Sequence, residues 1–221
     1  MTTKTYTLTD SETGAEVSLP VLVPVAGPPV IDVTKIYSQT GAFTFDPGYA
    51  ATASCQSSVT YIDGEAGILQ YRGYPIEQLA EHSSFIEVAY LLLHGELPSD
   101  QELAEFDTSI RTHTMLNESL LRFYNGFHHN AHPMAMVSGV VASMSAFYHD
   151  STNIRDAYDR DVFAYRIIAK IPTIAAAAYK HSRGQPFVYP RNSLDYCSNL
   201  LHPGPNSRSA WSMMARLLIR R

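Results

Sequence analysis

Two capping boxes set the frame for everything around them. Ser84-Phe85-Ile86-Glu87 opens the apolar run Val88 to Leu93, and Gly95 stands where a helix should stop. Ser99-Asp100-Gln101-Glu102 repeats the signal a short loop later. In each box the serine oxygen can take an amide of the first turn while the acid reaches back to the serine's own N–H. A glycine just past the last apolar position accepts the left-handed backbone that ends helices. The chain here must therefore form helices joined by a short loop.

Helical patterning continues to about residue 202. Asn117 can cap a short helix through Phe127, and Pro133 is suited to the first position of another, reaching Tyr148. That second helix carries small residues (Ala135, Ser138, Gly139, Ala142, Ser145), a face that lets a neighbour approach closely. A further pattern covers 159–183, broken or kinked at Pro172 and ended by Gly184. A last helix is expected to start near Asn192.

Before Pro75 the period is different. Tyr6 and Leu8, then Ser11-Glu12-Thr13-Gly14, then Val17 and Leu19 alternate around a turn and predict a β-hairpin. A proline-rich link, Pro20 to Pro29, leads to Val30-Ile31-Asp32-Val33. Residues 58–71 predict a second hairpin around Asp63-Gly64 and Gly67. The expected fold is mainly α, with a small N-terminal β-rich region. The expected division is 1–74 hairpin-rich, 75–202 helical, and an atypical tail from 203 to 221. That tail follows Pro203-Gly204-Pro205-Asn206 and holds four of the twelve arginines within the last fourteen residues, with no lysine and no acid. It reads as a mobile basic terminus or as sequence foreign to what precedes it, so a disordered or non-native tail is expected.

Composition removes several function classes. Sixteen basic against twenty-one acidic residues give a formal charge of −5, which argues against a nucleic-acid partner. Cys55 and Cys197 form no paired motif, as in a reducing compartment. Met1 to Gly14 lacks an apolar core, and Ile171 to Tyr179 is too short to cross a bilayer. The expectation is a cytoplasmic protein with no membrane partner. No phosphate-binding glycine loop, nucleophile elbow or HExxH occurs. His128 and His132 could share a helix face and clasp a metal, but Pro133 biases His132 away from helix and no further ligand stands near in sequence. A polar-surface or packed-histidine role is expected instead, and no metal.

Longer runs carry a resemblance. Phe43-Thr44-Phe45-Asp46-Pro47-Gly48, Tyr61-Ile62-Asp63-Gly64 and Tyr71-Arg72-Gly73-Tyr74-Pro75-Ile76 are similar to the N-terminal part of bacterial type II citrate synthases. So are Gly95-Glu96-Leu97-Pro98, His113-Thr114-Met115, Ala131-His132-Pro133-Met134, Ala146-Phe147-Tyr148-His149-Asp150 and Gly184-Gln185-Pro186-Phe187 through Asn192. The resemblance covers roughly residues 30 to 202, in the family's order.

It implies a helical large domain of a homo-oligomer (dimer or hexamer) that condenses acetyl-CoA, the co-substrate, with oxaloacetate and requires no cofactor. It also implies that the family's catalytic Asp, its two His and its oxaloacetate-binding Arg lie in segments this sequence does not contain. No residue here receives a catalytic role, and residues 1–221 alone are expected to be inactive. The alternatives are a 2-methylcitrate synthase, or a non-catalytic helical fragment or dimerisation partner.

NADH-sensitive members of this branch have an allosteric pocket whose matching positions are His113, Thr114, Met115, Tyr148, Arg166, Lys170 and Asn192. Arg166 and Lys170, four apart, would point one way from a helix, toward a phosphate or simply toward solvent. Thr112 and His128-His129 depart from the basic residues those relatives carry.

Overall fold

The computed structural model describes residues 4–202. The chain divides into two compact units, one up to Leu97 and one from Pro98 onward. Among the described residues the protein is mainly helical, with its strands confined to the first unit.

In the first unit, β1 (Thr5–Thr9) and β2 (Glu16–Leu22) form the expected antiparallel hairpin, with Thr9 opposite Glu16. The Asp10 carboxylate closes the turn by accepting from Glu12 N at 2.8 Å and from the Thr13 hydroxyl at 2.7 Å. Only β2 shows the buried alternation: Val17, Leu19 and Val21 point inward, and Ile36 of α1 (Ile36–Thr40) joins the first two. Tyr6 and Leu8 stay exposed. The strand also runs through Pro20, into the stretch read as a linker. Pro20 has no amide to give, but its carbonyl accepts from Asp32 N at 2.9 Å, and β3 (Val30–Ile31) pairs with Val21 and Leu22.

The second hairpin is β4 (Thr60–Asp63) and β5 (Ile68–Tyr71), extended by β6 (Tyr74–Pro75). The turn into β6 places Arg72 at φ 51°, a left-handed conformation costly for a residue with a side chain. Its guanidinium offsets that cost: Nη2 donates to Leu92 O at 2.8 Å, and Nη1 donates to Ser58 Oγ at 3.0 Å. Helices α2 (Ile76–His82) and α3 (Phe85–His94) complete this unit, so its boundary lies later than the change of pattern at Pro75. Both sides of the α3 capping box are made, and Gly95 ends the helix at φ 98°.

The second unit starts with α4 (Asp100–Thr112), again with a complete capping box. Asn117 caps α5 (Glu118–Phe123), and a 3-10 turn carries it through Gly126. Helix α6 (Pro133–Ser143) is capped by His132, whose Nδ1 accepts from Met134 N at 3.2 Å. Its small-residue face receives an aromatic ring: a Cβ on Gly139 would lie 3.0 Å from Phe127 Cζ.

Helix α7 (Ala157–Ser182) is 26 residues long and runs unbroken through Pro172, which corrects the expected break. By length and composition it could cross a bilayer, but Ile174, Ala177 and Ala178 lie in the core with Leu120, Tyr124, Met136, Val140 and Met144. Helix α8 (Tyr196–Leu201) begins four residues after Asn192, capped by Asp195, whose carboxylate accepts from Ser198 N at 2.8 Å. The arginine-rich stretch after His202 lies outside the described residues.

Met136 is fully buried, so Met136→Ala should cost about 2–5 kcal/mol in urea unfolding. Ser99→Ala, which removes only a cap, should cost about 1 kcal/mol.

Candidate functional site

Helix α7 gathers most of the residues singled out from sequence. Arg166 and Lys170 sit one turn apart, each close to the Tyr148 ring, at 4.7 and 5.2 Å from its centroid. Both cations have internal partners. Lys170 Nζ donates to the carbonyls of His113 at 2.7 Å and Met115 at 2.5 Å. Between them the carbonyl of buried Thr114 accepts from the Thr173 hydroxyl at 2.9 Å. The segment after α4 is thus stitched to α7 through its backbone. Arg166 meets Asp150 in a two-pronged pair at 2.8 and 2.9 Å and donates to the Ser151 hydroxyl at 2.6 Å.

Six of the seven expected residues therefore come together. Asn192 is joined less directly: its carbonyl accepts from Arg111 Nη1 at 3.5 Å. Arg111 Nε also lies 2.8 Å from Asp107 on α4, a contact that pairs the charges without a well-aligned hydrogen bond.

Burial sets the electrostatics. Lys170 is only 6% exposed, and desolvation, with a smaller push from Arg166, lowers its pKa to about 8. Burial raises the Tyr148 hydroxyl, opposed by the Asn117 amide and by Arg166. The Asp150 carboxyl is held low, first by its hydrogen bond to Arg166. A cavity of about 410 Å³ borders this cluster, lined by Tyr148 and Ser151 together with Ile154, Arg160 and Phe163. The arrangement engages Arg166 with Asp150 and Ser151, and Ser151 in turn lines the cavity.

Asp150, Ser151 and Thr173 were missed as site residues. Asp150 stands sixteen positions before Arg166, too far for any local spacing rule. Its place beside Tyr148, with the two bases of α7 downstream, was the available signal. Two of the histidines, His129 and His181, have packing roles. His129 Nδ1 donates to His181 O at 2.9 Å, and His181 Nε2 donates to Phe127 O at 3.0 Å. Among the described residues no three metal-ligating side chains converge.

Comparison with known proteins agrees with this architecture. The family model "Citrate synthase, C-terminal domain" matches residues 48–219. Among solved structures, the citrate synthase from Pyrobaculum aerophilum is 32% identical, with a TM-score of 0.61 over 83% of this chain and 44% of that one. The enzyme from Thermotoga maritima MSB8 is 28% identical, with a TM-score of 0.62 over 80% of this chain and 47% of that one. The citrate synthase from Thermoplasma acidophilum, solved with carboxymethyl coenzyme A and oxaloacetate, is 26% identical, with a TM-score of 0.65 over 76% of this chain and 42% of that one. The chain belongs to the citrate synthase family, an acyltransferase family that forms a carbon–carbon bond, and it spans less than half the length of these structures.

The Lys170 pKa has a consequence for stability. The unfolded lysine holds its proton up to about 10.5, whereas the folded one gives it up near 8. The unfolded state therefore binds more protons between those values, and stability should rise with pH across that window. Lys170→Met should abolish this rise, read as the difference in urea midpoints between variant and wild type from pH 7.5 to 10.5. A parallel pH course for both proteins would contradict it.

Proposed function

We propose that this chain supplies the helical large-domain portion of a citrate synthase that joins acetyl-CoA to oxaloacetate and, with water, releases citrate and CoA. The observation that carries the reading is the family match over residues 48–219, joined to a helical core of the same architecture. The chemistry needs a base for the acetyl methyl and a donor for the developing enolate oxygen. Among the described residues, the Lys170 and Arg166 clusters are instead engaged in holding chain segments together. On this reading, and by the resemblance alone, the family's catalytic set lies outside residues 1–221. The whole protein acts as a cytoplasmic homo-oligomer on these small-molecule substrates.

The test is oxaloacetate-dependent release of CoA from acetyl-CoA, measured for residues 1–221 and for the same residues joined to a family C-terminal half. Turnover is expected only in the joined protein. A rate near a complete enzyme's from residues 1–221 alone would overturn the reading. A preference for propionyl-CoA in the joined protein would move it to 2-methylcitrate synthesis.

A regulatory role is proposed for the α7 cluster: His113, Thr114, Met115, Tyr148, Arg166, Lys170 and Asn192 would form an NADH pocket. What supports it is the two-pronged Arg166–Asp150 pair beside the 410 Å³ cavity. A phosphate can take the same fork that the carboxylate now holds. Asp150 is then the competitor, so Asp150→Asn should tighten NADH binding several-fold in a fluorescence titration and Arg166→Gln should weaken it. Unchanged affinity in both variants would remove NADH from this site.

A further inference from the structure

Proline inside a helix leaves one carbonyl without its partner, that of the residue four positions earlier. For Pro172 that residue is Ile168. The gap is filled from outside the helix: the hydroxyl of Tyr196, first residue of α8, donates to Ile168 O at 3.0 Å. Tyr124 also donates to a carbonyl of α7, that of Ile174 at 2.8 Å. By helical register, however, Ile174 already faces the amide of Ala178, so Tyr124 adds a second bond. Tyr196 supplies one that Pro172 cannot.

We propose that Tyr196 and Pro172 form a two-part lock, in which the tyrosine hydroxyl stands in for the missing proline amide and thereby fixes α8 against the long helix as a strap. Helix α8 is suited to such control because it has six residues and none of them is fully buried. Its position rests on polar ties. Besides Tyr196 there is a paired contact of Asn199 with the backbone of Arg191, both bonds at 2.8 Å, and the Asp195 cap, which is local to α8 itself. Desolvation holds the Tyr196 hydroxyl near 12, so it remains a donor throughout the physiological range. Proline at 172 makes the tie specific. With an amide at that position the carbonyl would be satisfied within the helix, and α8 would lose its privileged acceptor.

A double-mutant cycle on the full 221-residue chain tests this, using Tyr196→Phe, Pro172→Ala and the double variant. In the wild-type background Tyr196→Phe orphans the Ile168 carbonyl. It should raise the unfolding equilibrium constant about fivefold, the worth of one hydrogen bond. Amide exchange should accelerate first in 195–201. In the Pro172→Ala background, where the restored backbone amide at position 172 reaches the Ile168 carbonyl, the same change should alter the constant less than about twofold. Equal losses in the two backgrounds would overturn the lock. So would a Tyr196→Phe protein whose exchange rises uniformly along the chain, since that marks a general packing defect and not a released strap.

Discussion

A buried ammonium is the constraint on which the helical unit depends. Lys170 lies on α7 among core residues, and a charge taken out of water must be met by dipoles or it abandons its proton. The carbonyls of His113 and Met115 meet it, and they can do so only if the chain after α4 lies along α7 in one register. Thr173 then holds Thr114 between them. Hydrophobic burial around Tyr124, Met136 and Ile174 provides the larger stabilisation but is non-directional. The carbonyl clamp selects one arrangement of α4 on α7 from the many that would bury similar area. It also explains how the Tyr148 ring comes to lie beside two cations, since Arg166 is one turn from a lysine whose position is already fixed.

How much of this was legible in the sequence depended on the range of the interaction. Both capping boxes, the Asn117 cap, Pro133 at the start of α6 and the two hairpins are local. Each signal and its partner lie within a few residues, and all of them formed as read. The sequence rule for proline in helices predicts a break or a kink at Pro172 because it counts only the helix's own bonds, and the helix does not break there. The donor that satisfies the orphaned carbonyl comes from Tyr196, twenty-eight positions away from Ile168. The start of α8 was placed too early because Asn192 and Asp195 are both plausible caps, and only the pairing of Asn199 with Arg191 separates them.

The same distinction governs the site. Arg166 and Lys170 were visible as a one-turn pair, and the structure does put them with Tyr148 and the 113–115 segment. Their partners were not visible. A carboxylate sixteen positions upstream and two main-chain carbonyls more than fifty positions away leave no mark in local spacing. Family resemblance located the cluster, and geometry says what the cations are bonded to. This is why the NADH reading rests on exchange: a ligand phosphate would have to displace Asp150, because neither cation of the pair stands idle.

The carbonyl clamp is tested most directly at the Lys170 nitrogen itself. Selective ¹⁵N labelling of lysine, with Lys170→Arg used for assignment, would allow the Nζ resonance to be followed against pH. The account predicts a transition near 8 with slow exchange of the ammonium protons, as for a group held by two carbonyls out of water. A transition near 10.5 with fast exchange, the behaviour of a lysine in solvent, would contradict it.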